Sequence, residues 1–333
     1  MVNFTFISLV LFNHSANSPF ISFQNRDSLS LNSCLFCKHV QPVIFEKLIN
    51  NYIHSEPVIL NVFNTKFDSI LNHAVYISNK KSSSRIFLND ESKHILSNLQ
   101  FISCSGFKGG AIHSEATHLI IMNCIFSKNK GNYGSAVYAG DILKGKIVDC
   151  LFNENLCQNL CAGYFLDANV DSITTININS NNFTNQVATC VGAIECWGGI
   201  PRISFCFIDR CRSSFGHGAV RTSTVGKGET QRSSVLDSVT FTNCSSRQYG
   251  SVFQSFMYKS SALLKNCLMI NNVCDSPKNG TAIFIQNTLV KIILEDCIIY
   301  GNKEKQFGGV KDMEKIILRN VTFIDNEKKK NNL

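Results

Sequence analysis

The sequence predicts an all-β protein folded as a parallel β-helix of about ten coils, with three short strands per coil. Three observations predict it. A Phe or equivalent apolar position recurs at Phe63, Phe101, Phe126, Phe152, Phe183, Phe207, Phe241, Met269, Ile299 and Phe323, at spacings of 38, 25, 26, 31, 24, 34, 28, 30 and 24 residues. Ten to thirteen residues after it comes a small residue followed by Val or Ile, as in Ala111-Ile112, Ala136-Val137, Ala193-Ile194 and Ala219-Val220. No segment carries apolar residues at helical spacing for long enough to compete with this alternation.

The repeats occupy 59–326, behind an N-terminal cap and irregular first coil at 1–58 and ahead of a polar tail at 327–333. Residues 4–12 are apolar, but no Lys or Arg precedes them and no small-residue cleavage site follows, so they read as a strand of the cap before a secretory signal. No stretch approaches the roughly 20 apolar residues of a membrane span. The chain of 333 residues is 44% hydrophobic and 17% charged, which supplies a core and argues against disorder. Its net charge of +8 is scattered, apart from Lys328, Lys329 and Lys330, a solvated run that does not call for nucleic acid.

Each repeat column has a reading. Three residues before the Phe stand Asn98, Asn123, Asp149, Ser180, Ser204, Ser238, Asn266, Asp296 and Asn320, turn formers that mark one corner. Two before it come Leu99, Cys124, Cys150, Asn181, Phe205, Val239, Cys267, Cys297 and Val321, on the same inward face as the Phe because strand side chains alternate. Three after it come Cys104, Asn129, Asn155, Gln186, Arg210, Cys244, Asn272, Asn302 and Asn326, read as the next corner with a ladder of stacked amides. Less regular strands such as IIM, KIV, RISF and KIIL complete each coil.

The alternation of Phe-x-x-Asn (126–129, 152–155, 323–326) with Gly-Gly-Ala-Ile (109–112) and its degenerate copies at 134–137, 191–194 and 217–220 resembles the repeat of polymorphic outer-membrane proteins and related β-helix surface proteins. The resemblance spans about 270 residues. It implies a right-handed, pectate-lyase-like β-helix with a surface-exposed adhesive role, in a chain without the autotransporter barrel of that family.

Catalytic and metal chemistry find little support. Asp149 and Asp296 stand five coils apart, about 24 Å at ~4.8 Å per coil, too far for the carboxylate pair of a glycosidase. Gly216-His217-Gly218 is similar to the GHG of polygalacturonases, but it lies in the Gly-Ala-Val column and its aspartate and Arg-x-Lys partners are missing. Of the fifteen cysteines, Cys124, Cys150, Cys267 and Cys297 read as core residues, and Cys34/Cys37 is a lone CxxC with no second pair for zinc. Cys157/Cys161, Cys190/Cys196 and Cys206/Cys211 lie close enough in sequence to bridge turns in an oxidising compartment. Six N-x-Ser/Thr sequons are about what this composition produces by chance, so they do not establish secretion.

The expected function is therefore a non-catalytic binding or adhesion scaffold at a cell surface or outside the cell, without cofactor or metal. The expected binding residues are the outward row Tyr76, His113, Tyr138, Tyr164, Glu195 and Arg221, an aromatic platform with a surface ion pair between its last two members. Longer insertions at 79–96, 166–174 and 222–234 emerge from one edge to flank it. The partner would be a cell-surface glycan or protein met by a monomer. A carbohydrate-active enzyme on the same fold is the alternative, marked by carboxylates clustered on one coil face.

Overall fold

The computed structural model describes residues 3–325 apart from 13–18, 25–27, 39–42, 50–58, 73, 81–92, 116–117, 141, 168–174, 224–231, 256–259, 277–279, 286–290, 303–305 and 310–315. These residues form a parallel β-helix with no helical segment. Each central coil visits four sheets in turn. Sheet 1 includes Lys93–Ser97, His118–Met122 and Lys144–Val148, and sheet 2 includes Gln100–Ile102, Ile125–Ser127 and Leu151–Asn153. Sheet 3 includes Ser105–Lys108, Lys130–Tyr133 and Leu156–Cys157, and sheet 4 includes Ile112–Ser114, Val137–Gly140 and Tyr164–Asp167.

Sheets 1 and 2 have twelve strands each, sheet 4 eleven and sheet 3 seven, so coil number and strands per coil both differ from expectation. The extra strand is only two residues long in most coils, as at Val187–Ala188 and Arg212–Ser213, which is too short to show alternation. Upstream of 59, the segment expected as a cap supplies Asn3–Ile7 and Ser28–Asn32 to sheet 1, Val10–Phe12 and Leu35–Cys37 to sheet 2, and Ile21–Gln24 and Ile44–Ile49 to sheet 4.

The core is built from columns. Phe36, Phe67, Phe101, Phe126, Phe152 and Phe183 stack ring on ring, with centroids 4.5–5.4 Å apart and planes within 11°. Each is fully buried and contributes roughly 1.5–3 kcal/mol of burial free energy. Phe67, not Phe63, holds this column, because Phe67 pairs with Phe101 whereas Phe63 pairs with Ser97 in sheet 1. Phe207 is likewise displaced: Ile208 stacks between Phe183 and Phe241, leaving Phe207 40% exposed. The coil is therefore shifted by one residue, with Phe205 rather than Ser204 at the corner, Cys206 rather than Phe205 inward, and Cys211 rather than Arg210 after it.

The first corner is left-handed at Asn98, Asn123, Asp149 and Ser180, with φ of +54°, +51°, +54° and +53°, where Asn and Asp cost least. The second corner lies one residue earlier than expected, at Lys128 (+57°), Glu154 (+53°) and Asn185 (+53°). Asn129 and Asn155 themselves point inward, fully buried. Asn129 Nδ2 donates to Asn155 Oδ1 at 2.9 Å and Asn155 Nδ2 to Gln186 Oε1 at 3.1 Å, while the Cys104 and Asn129 backbone N–H groups donate to Asn129 Oδ1 and Asn155 Oδ1, both at 2.9 Å. The ladder thus satisfies backbone donors that the corner leaves without a sheet partner. All fifteen cysteines are free thiols, thirteen of them buried.

Candidate functional site

Sheet 4 carries the predicted binding row. Register places Tyr76, His113, Tyr138, Phe165, Glu195, Arg221, Gln254 and Phe284 in one column, opposite the core row of Ile112, Val137, Tyr164, Ile194 and Val220. Tyr164 is therefore a core residue and Phe165 takes its place. The cause is Gly163: it, not Ala162, occupies the small position against Ala193, where an added Cβ would meet the Ala193 carbonyl and lie 2.9 Å from the Phe183 ring. Tyr76 lies in the strand Val75–Lys80, and the column continues upstream through Phe45 to Ser22.

The row faces away from the core yet is covered. His113 is 5% exposed, Tyr138 3%, Phe165 1%, Glu195 0% and Arg221 7%, so these five residues form no open aromatic platform. The turns joining sheets 3 and 4 fold over it: Tyr138, Phe165, Cys161 and Val191 form a second apolar cluster, joined by Tyr133, Leu160, Cys190 and Trp197. Lys108 closes over Tyr138, with its ammonium 4.6 Å from the ring centroid and 3.1 Å from the hydroxyl.

Within this cover the polar groups pair with one another. The Tyr138 hydroxyl donates to Asp167 Oδ2 at 2.9 Å, and His113 Nε2 lies 3.2 Å from Glu115 Oε1. Glu195 Oε1 accepts from Trp197 Nε1 at 2.7 Å and from Arg221 Nη1 at 3.0 Å, whereas Oε2 is buried without a hydrogen-bond partner. The Glu195–Arg221 pair is thus interior and not a surface pair. Burial raises the Glu195 pKa despite Arg221, which lowers it. His217 stacks flat on Tyr249, centroids 5.1 Å apart and planes at 9°. Burial, reinforced by Arg221, pulls its pKa down to about 3, so the imidazole is neutral near pH 7. Burial pushes the Cys157 thiol up to about 11 and raises Cys161 and Cys190, so none is an activated nucleophile.

Sequence reasoning thus located the column and misjudged its environment. Glu115, Asp167 and Trp197, each two residues beyond a row position, were missed; polar residues recurring two places past a known column are the signal that could have found them. The insertions at 79–96, 166–174 and 222–234 fall largely outside the described residues, at 81–92, 168–174 and 224–231. Among the described residues no group of three His, Cys, Asp or Glu side chains is placed to hold a metal ion, and no helix is long and apolar enough to cross a membrane.

The open surface lies next door, on sheet 3. A groove of about 470 Å³ is lined by Leu71, Phe107, Lys130, Asn132, Leu156 and Gln158 among others. Phe107 is 61% exposed, Leu71 50% and Leu156 41%, and the Phe107 ring leans on Tyr133 at 5.4 Å. Register sets Phe107 beside Asn132, so aromatic, amide and ammonium groups from successive coils face one channel. No protein-family model, no curated protein and no solved structure matches this chain.

Proposed function

We propose that this β-helix is a non-catalytic binding scaffold, acting at a cell surface or outside the cell, and that its contact surface is the sheet 3 groove. The observation that carries the reading is the exposure of Phe107, Leu71 and Leu156 beside Lys130, Asn132 and Gln158, an open apolar channel edged by hydrogen-bonding groups. A linear glycan laid along the coils would stack on Phe107 and bond to the amides. The Phe-x-x-Asn and Gly-Gly-Ala-Ile repeats, similar to those of polymorphic outer-membrane proteins, support the adhesive setting. The covered sheet 4 row serves this surface as its rigid backing. The test is binding to a glycan array by the wild-type chain and by the double variant Phe107→Ala/Leu156→Ser. Selective loss by the variant, with an unchanged melting temperature, is expected; equal binding sinks the proposal.

A second reading, a carbohydrate-active enzyme, rests on Glu115, Asp167 and Glu195 gathering on one face, with Glu195 pushed toward its protonated form. It ranks lower because Glu195 is wholly buried and each carboxylate is engaged by His113, Tyr138, or Trp197 and Arg221. Release of reducing ends from a polysaccharide panel, abolished by Glu195→Gln, would reverse this order.

A further inference from the structure

The charge pattern on the outer face of sheet 1 changes along the solenoid. Four successive strands, His118–Met122, Lys144–Val148, Thr175–Asn179 and Ile200–Ser204, contain no acidic residue. Their outward positions hold His118, Lys144, Lys146, Thr175, Asn177 and Arg202, with Ile120, Met122, Val148, Asn179, Ile200 and Ser204 beside them. Lys144, Lys146, Asn177 and Arg202 are exposed. Farther along the same sheet the charges alternate instead: Asp237, Lys265, Glu295 and Arg319 follow one another in register, with Lys265 Nζ 3.1 Å from Glu295 Oε1 and Arg319 Nη1 3.5 Å from Glu295 Oε2. There the cations are neutralised by the protein itself. In the basic stretch no ion pair neutralises Lys144, Lys146 or Arg202 among the described residues.

The stretch is also concave. A depression of about 500 Å³ is lined by His118, Leu119, Ile120, Lys144, Gly145, Lys146, Thr175 and Asn177, without a carboxylate. Lys144 and Lys146 are on one face of one strand, about 6.6 Å apart, and Arg202 is two coils beyond Lys146, about 9.6 Å away at ~4.8 Å per coil. Hydroxyl and amide donors, Thr175 and Asn177, lie between the cations. A row of cations separated by neutral donors, spread along this depression and its edge, matches a chain of repeated anionic groups joined by hydroxyl-bearing units. Donors converging from two strands suit a three-oxygen group better than a planar carboxylate.

We propose that this face of sheet 1 binds a sulfated linear polysaccharide, at a site separate from the sheet 3 groove. The direct test is the binding of dextran sulfate, with unsulfated dextran, a polyuronate and duplex DNA alongside, across a series of salt concentrations. Wild-type chain is expected to bind dextran sulfate, and to bind it more weakly as salt rises. Lys144→Gln/Lys146→Gln is expected to bind about tenfold or more weakly with a shallower salt dependence. Arg202→Gln provides a second reading of the same effect, and Phe107→Ala should bind dextran sulfate as the wild type does. Unchanged binding by the double lysine variant, with its melting temperature preserved, overturns the site. Equal affinity for the polyuronate or for DNA overturns the sulfated-polysaccharide assignment.

Discussion

Arg221 Nη1 lies 3.0 Å from Glu195 Oε1, one coil away, and neither side chain is more than 9% exposed. Inside the cover of sheet 4 this pair links strands of successive coils, with Trp197 as third member. Removing one partner leaves the other charge buried alone. Arg221→Met should therefore cost about 3–5 kcal/mol, whereas Glu195→Gln/Arg221→Met should recover much of that loss. A double-mutant cycle by urea denaturation checks it; additive losses would show that the pair is not coupled.

The same carboxyl has a pH signature. Because burial raises the folded pKa of Glu195, its contribution to stability is fully present below the unfolded value and is lost as pH rises through the folded pKa. The stability difference between wild type and Glu195→Gln should move against the wild type as pH rises from the ordinary carboxylate range. A pH-independent difference would contradict this.

His217 has the opposite sense. With its pKa near 3, the neutral imidazole contributes stability above the unfolded value near 6.5, and acidification through the window down to about 3 removes it. Its ring resonances in an NMR titration should show no midpoint between pH 5 and 8. A midpoint near 6.5 would mean the Tyr249-stacked ring is open to water.

The column assignment is testable by paired substitutions. Phe152→Ala should cost about 3–5 kcal/mol by removing a ring from the middle of the stack. Phe207→Ala, at a half-exposed position, should stay within about 0.5 kcal/mol. Asn155→Ala, which strands the Asn129 backbone N–H and leaves the Asn129 side-chain amide with the Phe101 carbonyl as its acceptor, should cost about 1–3 kcal/mol. Chemical denaturation ranks the three.

Thiol chemistry separates the cysteines. In the native protein a small disulfide reagent should react first with the partly exposed Cys37 and Cys190, and with the other thirteen only after unfolding. Fewer than fifteen thiols in denaturant would reveal disulfides.

The period, the parallel β-helix, the Phe column over most of its length and the first corner were all legible in the sequence. Each depends on residues that repeat every coil and report local backbone needs, such as the left-handed Asn98 and Asn123. Register failed at three coils, the first at 63–67, where Phe67 and not Phe63 joins the Phe column. At 204–210 the prominent Phe205 and Phe207 drew the alignment away from Cys206 and Ile208, and at 162–163 two small residues competed for one position. A slip of one residue exchanges the faces of a strand, which is why Tyr164 was expected outside and stands in the core.

The sequence by itself determined the stacking, because coil-on-coil pairing repays the same residues at the same positions each time. Only the tertiary structure decided what the outward row of sheet 4 faces. Whether Tyr138, Glu195 and Arg221 meet water or protein depends on turns such as those at Lys108, Leu160 and Cys190 folding back over the sheet. The residues of those turns that close over the row, Lys108, Leu160 and Cys190, share no residue type, so no column records the cover, and the burial of a charged pair beneath it turns an expected platform into a second, smaller core.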